Sequence, residues 1–133
     1  MFLADTDVLI DFLRGTGQAD RIALEIGTGR LCTTAITAFE LWAGSKTPQQ
    51  VATVTSLLEA LTVLPLDISC ARRAGEIRRD LEHEGRTIGM ADSLIAGIAV
   101  ERDAILITRN RKHYERVPGL KLSHQFSSPS ISD

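Results

Sequence analysis

Apolar positions change their spacing along the chain, and each change marks an element. Phe2-Leu3-Ala4 is a short apolar run that stops at Asp5, and the apolar segment 8–13 predicts a first helix, closed by Gly15-Thr-Gly17. A second helix over 19–26 is broken by Gly27-Thr-Gly29, and the β-branched stretch 31–36 predicts a strand. Thr37 with Glu40 three residues later has the spacing of a capping box, which opens a helix carrying Phe39, Leu41 and Trp42. After Pro48, Val51, Val54, Leu57, Leu58 and Leu61 recur at helical spacing, and 63–66 predicts a short strand. Asp67 then caps a long helix with Ile68, Ala71, Ala74, Ile77 and Leu81 inward and Arg72, Arg73, Arg78 and Arg79 outward. A loop over 85–89 leads into a helix over 90–102 with Ala91, Leu94, Ile95, Ile98 and Ala99 on one face. The run 104–108 has few polar side chains, as in a strand of a buried parallel sheet, and Leu120 with Leu122 predicts a last short strand.

Strands alternating with helices predict an α/β fold: a three-layer α/β/α domain around a central, mainly parallel sheet. A chain of 133 residues suits one such domain, expected over 1–122, with the serine-rich stretch 123–133 as a disordered tail. Composition then narrows the function. With 44% hydrophobic and 24% charged residues the chain is an ordinary globular protein, not a disordered, collagenous or disulfide-stapled one. The longest apolar run, 94–100, contains Gly97 and is too short to cross a membrane. Asp5 and Asp7 interrupt any signal-peptide core, so a soluble, cytoplasmic protein is expected. Cys32 and Cys70 lie in apolar patterns and read as buried free thiols. The net charge of −2 argues against nucleic-acid binding through bulk positive charge, but not against an enzyme acting on nucleic acid.

Four polar residues fall at comparable places in this scheme: Asp5 at the end of the first strand, Glu40 in the first turn of a helix after the second, Asp92 near the start of its helix, and Asn110 just after the strand ending at Thr108. The carboxyl ends of the strands in an open α/β sheet share one ligand-binding crevice. Carboxylates meeting there repel one another unless a cation neutralises them, and hard oxygen ligands suit Mg²⁺ or Mn²⁺. Such a site activates water and stabilises charge on a phosphodiester. Each residue also has a plainer role: Glu40 as the capping-box acid, Asp92 as an acid favoured by a helix dipole, Asp7 as the cap of a helix starting at Val8. Asp11 reads as solvated surface, and Trp42 as core unless exposed, when it would favour a partner interface. Arg86, Arg109, Arg111 and Lys112 flank the acids and are suited to hold a phosphate backbone.

The segments Leu3-Ala-Asp-Thr-Asp-Val-Leu-Ile10, Thr34-Ala-Ile-Thr-Ala-Phe-Glu-Leu-Trp-Ala-Gly44, Ile88-Gly-Met-Ala-Asp-Ser-Leu-Ile-Ala-Gly97 and Thr108-Arg-Asn-Arg-Lys-His-Tyr-Glu-Arg-Val-Pro-Gly-Leu120 resemble the PIN-domain ribonucleases, and among them the VapC toxins of toxin–antitoxin pairs. The resemblance implies a metal-dependent endoribonuclease in which Asp5, Glu40 and Asp92 match the acids that hold Mg²⁺ or Mn²⁺. Asn110 stands where many PIN domains have a fourth acid, and Asp7 is an acid where an uncharged Asn is common. It also implies a homodimer and a VapB antitoxin whose tail occupies the active-site groove, with the helices after Thr37 and Pro48, Trp42 included, as contact surfaces. Two other readings compete. Asp5-Thr-Asp7 fits an aspartate-nucleophile phosphatase, although Glu40 then has no role, and Asn110 keeps open a non-catalytic RNA-binding scaffold on the same fold.

Overall fold

The computed structural model describes residues 1–124. Five strands, β1 (Phe2–Ala4), β2 (Leu31–Thr34), β3 (Thr62–Leu64), β4 (Ile105–Ile107) and β5 (Lys121–Leu122), form one sheet in the order β3-β2-β1-β4-β5, every neighbouring pair parallel. Seven helices connect and cover them: α1 (Thr6–Arg14), α2 (Ala19–Gly27), α3 (Ala35–Ala43), α4 (Pro48–Glu59), α5 (Ile68–His83), α6 (Met90–Glu101) and α7 (Arg111–Tyr114). The expected three-layer α/β/α architecture is therefore the observed one, with a sheet that is parallel throughout.

Side chains alternate across the sheet with period two, so each strand feeds two cores. Leu3, Cys32 and Leu106 pack with Ile77, Leu81, Ile95 and Ile98 of α5 and α6. Ala4, Leu31 and Ile107 pack with Leu9, Ile22, Leu41 and Leu58 from α1 to α4. Burial on both faces is why these strands carry so few polar residues. Both cysteines are buried and free, as expected. Among the described residues no helix is long and apolar enough to cross a membrane.

Several local expectations are corrected. Helix α1 begins at Thr6, because Asp5, in extended conformation, accepts a hydrogen bond from the Thr6 N–H; Asp5 is the cap and Asp7 lies inside the first turn. Strand β2 ends at Thr34, whose hydroxyl accepts from the Thr37 N–H at 3.1 Å and caps α3. There is thus no capping box from Thr37, and Glu40 sits in the second turn of α3, free of that duty. Ile68 is 86% exposed: the inward stripe of α5 runs through Cys70, Ala74, Ile77 and Leu81, and a residue two positions from Cys70 points away from it. Trp42 is 44% exposed, with its indole N–H donating to the Thr55 hydroxyl on α4 rather than turned into the core. Ser123 donates its N–H to the Leu106 carbonyl beside β5, and residues 125–133 lie outside the described part.

Helices α5 and α6 approach closely at Gly97. A Cβ at Gly97 would lie 2.7 Å from both the Ala74 nitrogen and the Cys70 carbonyl oxygen, whereas one at Gly75 on the outer side of α5 meets nothing within 4 Å. Gly97→Ala is expected to destabilise by about 1–3 kcal/mol through overpacking. Gly75→Ala is expected to stabilise by about 0.5–1 kcal/mol through helix propensity. Urea midpoints of the two variants moving in the same direction would contradict this packing.

Candidate active site

Helices connecting parallel strands run antiparallel to them, so helix N-termini gather at the edge where the strands end. Strand β1 has β2 on one side and β4 on the other, and this reversal of chain order places the crevice outside the carboxyl ends of β1 and β4. Asp5 and Thr108 flank it directly. The N-terminus of α6 brings Asp92 to the same edge, and α3, leaving β2, brings Glu40.

Asp5 is 3% exposed. One carboxylate oxygen accepts from the Thr6 N–H at 2.8 Å and the other from the Thr108 hydroxyl at 2.7 Å. Burial pushes this acid from 3.8 up to about 6; the charge of Asp7, and less so that of Asp92, adds to the rise, which the two hydrogen bonds oppose. Among the described residues Asp5 has no ion-pair partner. Asp7 is also raised, chiefly by burial. Its Oδ2 accepts from the Arg109 backbone N–H at 3.0 Å, while its Oδ1 is buried without a partner among the described residues. Asp11, expected at the surface, is buried one turn further along α1 and pairs through Oδ2 with Arg109 Nε at 2.7 Å. Asp7 and Asp11 share a helix face because they are four residues apart, and together they grip the segment after β4 by main chain and side chain.

Glu40 Oε1 accepts from the Thr6 hydroxyl at 2.6 Å, and that hydroxyl also lies 3.0 Å from Thr37 Oγ1. Asp92 is held at both oxygens by consecutive residues of α7: the Tyr114 hydroxyl donates to Oδ1 at 3.1 Å, and His113 Nδ1 lies 3.1 Å from Oδ2. Asn110 is exposed at the start of α7, and its N–H donates to the Thr108 hydroxyl at 3.0 Å. Of the basic residues, Arg111 donates to the Ser123 carbonyl at 2.5 Å, Arg86 reaches only Glu84 at 3.9 Å, and Lys112 is exposed.

The structure thus brings Asp5, Asp7 and the 108–110 segment into contact, with Asp92 near enough to act on Asp5 and Glu40 tethered to the residue beside it. Among the described residues no group of three His, Cys, Asp or Glu side chains is close enough to hold a metal ion as it stands. The donors nonetheless suit a hard cation: they are carboxylate oxygens, the charges of Asp7 and Asp92 add to the rise that burial imposes on Asp5, and one buried Asp7 oxygen is unpartnered among the described residues. Sequence reasoning missed Thr6, Thr108 and Tyr114. Thr6 adjoins Asp5 in the chain and was open to notice; the pairing of Tyr114 with Asp92, 22 residues apart, left no local signal.

Fold and site together define an open, all-parallel α/β domain with an acid-lined crevice at its switch point. Residues 2–120 match the PIN domain family model. The tRNA(fMet)-specific endonuclease VapC of Shigella flexneri is 31% identical over 124 residues, 90% of this chain and 94% of that protein. Ribonuclease VapC10 of Mycobacterium tuberculosis is 35% identical over 122 residues, 91% of each. Among solved structures, DNA-bound VapBC from Salmonella typhimurium superposes with a TM-score of 0.81 at 30% identity, over 92% of this chain and 96% of that one. The chain belongs to the PIN-domain family and, within it, to the VapC ribonucleases.

An acid whose folded pKa lies above its unfolded value binds its proton more tightly when folded, so its contribution favours folding at low pH and is lost as pH rises. For Asp5 the window runs from 3.8 to about 6. Its full size is about 3 kcal/mol as an upper figure. Metal-free protein in EDTA should therefore lose stability across this window, and Asp5→Asn should flatten the slope. Urea midpoints measured from pH 4 to pH 7 check this; an Asp5→Asn variant with an unchanged slope would place the buried charge elsewhere.

Proposed function

We propose that this chain is a Mg²⁺- or Mn²⁺-dependent endoribonuclease, the toxin of a VapBC-type pair, acting in the cytoplasm. The observation that carries the reading is the carboxylate of Asp5, raised by its burial and further by the charge of Asp7, and without a cationic partner among the described residues. Its place at the switch-point crevice is where a substrate would enter.

In this reading Asp5, Glu40 and Asp92 would hold the metal, with Asn110, tied by its N–H to the Thr108 hydroxyl, as a neutral fourth member. The ion, when bound, lowers the pKa of water and offsets the charge that develops on the scissile phosphate. The chain's own part is orientation. Thr6 and Thr108 fix Glu40 and Asp5 by hydrogen bonds at 2.6 and 2.7 Å. The substrate backbone is held by the basic residues around the crevice, Arg86, Arg109, Arg111 and Lys112. Lys112 and Arg86 are the most available of these, since the guanidinium of Arg109 is engaged by Asp11 and that of Arg111 by the Ser123 carbonyl.

The partner in this reading is a VapB-type antitoxin, in a hetero-oligomer built on a toxin homodimer. Support comes from the face of α3 and α4, where Phe39 is 68% exposed beside Trp42 and Val51, next to a groove of about 560 Å³ that includes Glu40, Leu41 and Val54. An apolar face rimmed by polar residues suits a protein partner. Glu40 belongs both to this groove and, in this reading, to the acid cluster.

Purified chain incubated with cellular RNA should release discrete fragments with Mg²⁺ or Mn²⁺ and none with EDTA. Asp92→Asn should lower the rate by more than about 100-fold, beyond the loss usual for a residue that only supports a metal ligand. A folded Asp92→Asn protein with full activity would exclude the assignment; no cleavage by the antitoxin-free wild type would favour the scaffold reading. Trp42, the only tryptophan, should shift its emission when antitoxin binds. Trp42→Ala should weaken that complex by about 2 kcal/mol or more; calorimetry showing unchanged affinity would move the interface off this face.

A further inference from the structure

Tyr114 is the only tyrosine in the chain and one of its most deeply buried side chains, 1% exposed at the end of the four-residue α7. Its ring belongs to the core beneath the sheet with Leu3, Ile95 and Leu106. Packing accounts for the ring but not for the hydroxyl, since phenylalanine would fill nearly the same space without a polar atom to satisfy. The hydroxyl donates to Asp92 Oδ1 at 3.1 Å, and Asp5 is near enough to act on it as well. Burial and these two acids push the phenol far above its ordinary range, so it stays a neutral donor at any working pH. His113 takes the other Asp92 oxygen from an exposed position, where a hydrogen bond contributes little.

We infer that Tyr114 is the positioning residue of the acid cluster: its hydroxyl, anchored through a ring locked in the core, sets the orientation of the Asp92 carboxylate toward Asp5 so that both face one divalent cation. The inference rests on the metal-site reading above and adds to it the part of the fold that aims the site. A carboxylate on the first turn of a helix has free rotation about χ2; a donor from the core removes it before any metal arrives.

Mn²⁺ titration of the metal-free full-length chain by calorimetry tests this on wild type, Tyr114→Phe and Asp92→Asn. Tyr114→Phe should keep the wild-type urea midpoint within error and bind Mn²⁺ about tenfold more weakly. In cleavage assays the same variant should lose kcat at limiting Mn²⁺, regain it at saturating Mn²⁺, and keep its KM for RNA. Because there is one tyrosine, 3-fluorotyrosine labelling places a single ¹⁹F probe at this hydroxyl without removing it, which serves even if Tyr114→Phe folds poorly. Its resonance should shift on saturation with Mg²⁺ in the wild type and stay fixed in Asp92→Asn. Wild-type Mn²⁺ affinity in Tyr114→Phe, or a fluorine resonance unmoved by Mg²⁺ while Asp92→Asn abolishes binding, would overturn the role of Tyr114 and leave the metal site standing. Undiminished Mn²⁺ binding by Asp92→Asn would overturn the metal site and the inference together.

Discussion

One buried carboxylate without a cationic partner among the described residues organises this molecule. Asp5 stands at the carboxyl end of the central strand, where the chain turns into α1, and its carboxylate is removed from water with two further acids near it. Desolvation and like-charge repulsion act in the same direction on such a group, and no lysine or arginine among the described residues answers it. Folding tolerates this because the stabilising material lies elsewhere, in two apolar cores on opposite faces of the sheet. The conflict between a favourable fold and an unfavourable local charge is confined to the one edge where a cation and a phosphate would be received.

Around that charge, hydroxyl groups do the positioning. Thr108 holds Asp5, Thr6 holds Glu40, and Tyr114 holds Asp92, each from a different element than the acid it supports. A hydroxyl can donate to a carboxylate without neutralising it, so the acids keep their charge for a cation while losing their freedom to turn. Arg109 is held by two acids of α1: its guanidinium by Asp11 and its main-chain N–H by Asp7. That pair of acids on α1 ties the start of the chain to the segment after β4.

The alternation of apolar runs and helical stripes contained the order of elements apart from the one-turn α7, the mainly parallel sheet and the burial of both cysteines. Local chemistry was harder to read where two residues competed for one role. Thr37 and Glu40 have the spacing of a capping box, yet Thr34 lies three residues before Thr37 and takes its N–H first, so the helix starts earlier. Asp7 looked like a cap because it precedes an apolar run, but Asp5 was already placed to do it. Ile68 and Trp42 are apolar residues at helix positions that tertiary packing leaves facing out. The helical stripe through Cys70, Ala74, Ile77 and Leu81 leaves Ile68 off its line, whereas nothing in the window around Trp42 distinguishes it from core.

What the sequence by itself determined is whatever depends on near neighbours: periodicity, caps within a few residues, and the recurrence of an acid or amide after three strands and at the head of one helix. Those features already placed Asp5, Glu40, Asp92 and Asn110 at one edge of a parallel sheet. Only the tertiary structure decided which of the groups touch. The burial of Asp11, the seizure of Arg109, and the reach of Tyr114 to Asp92 all join residues far apart in the chain. Such contacts depend on the order of strands and the closeness of helices, and a residue's own neighbourhood carries no trace of either.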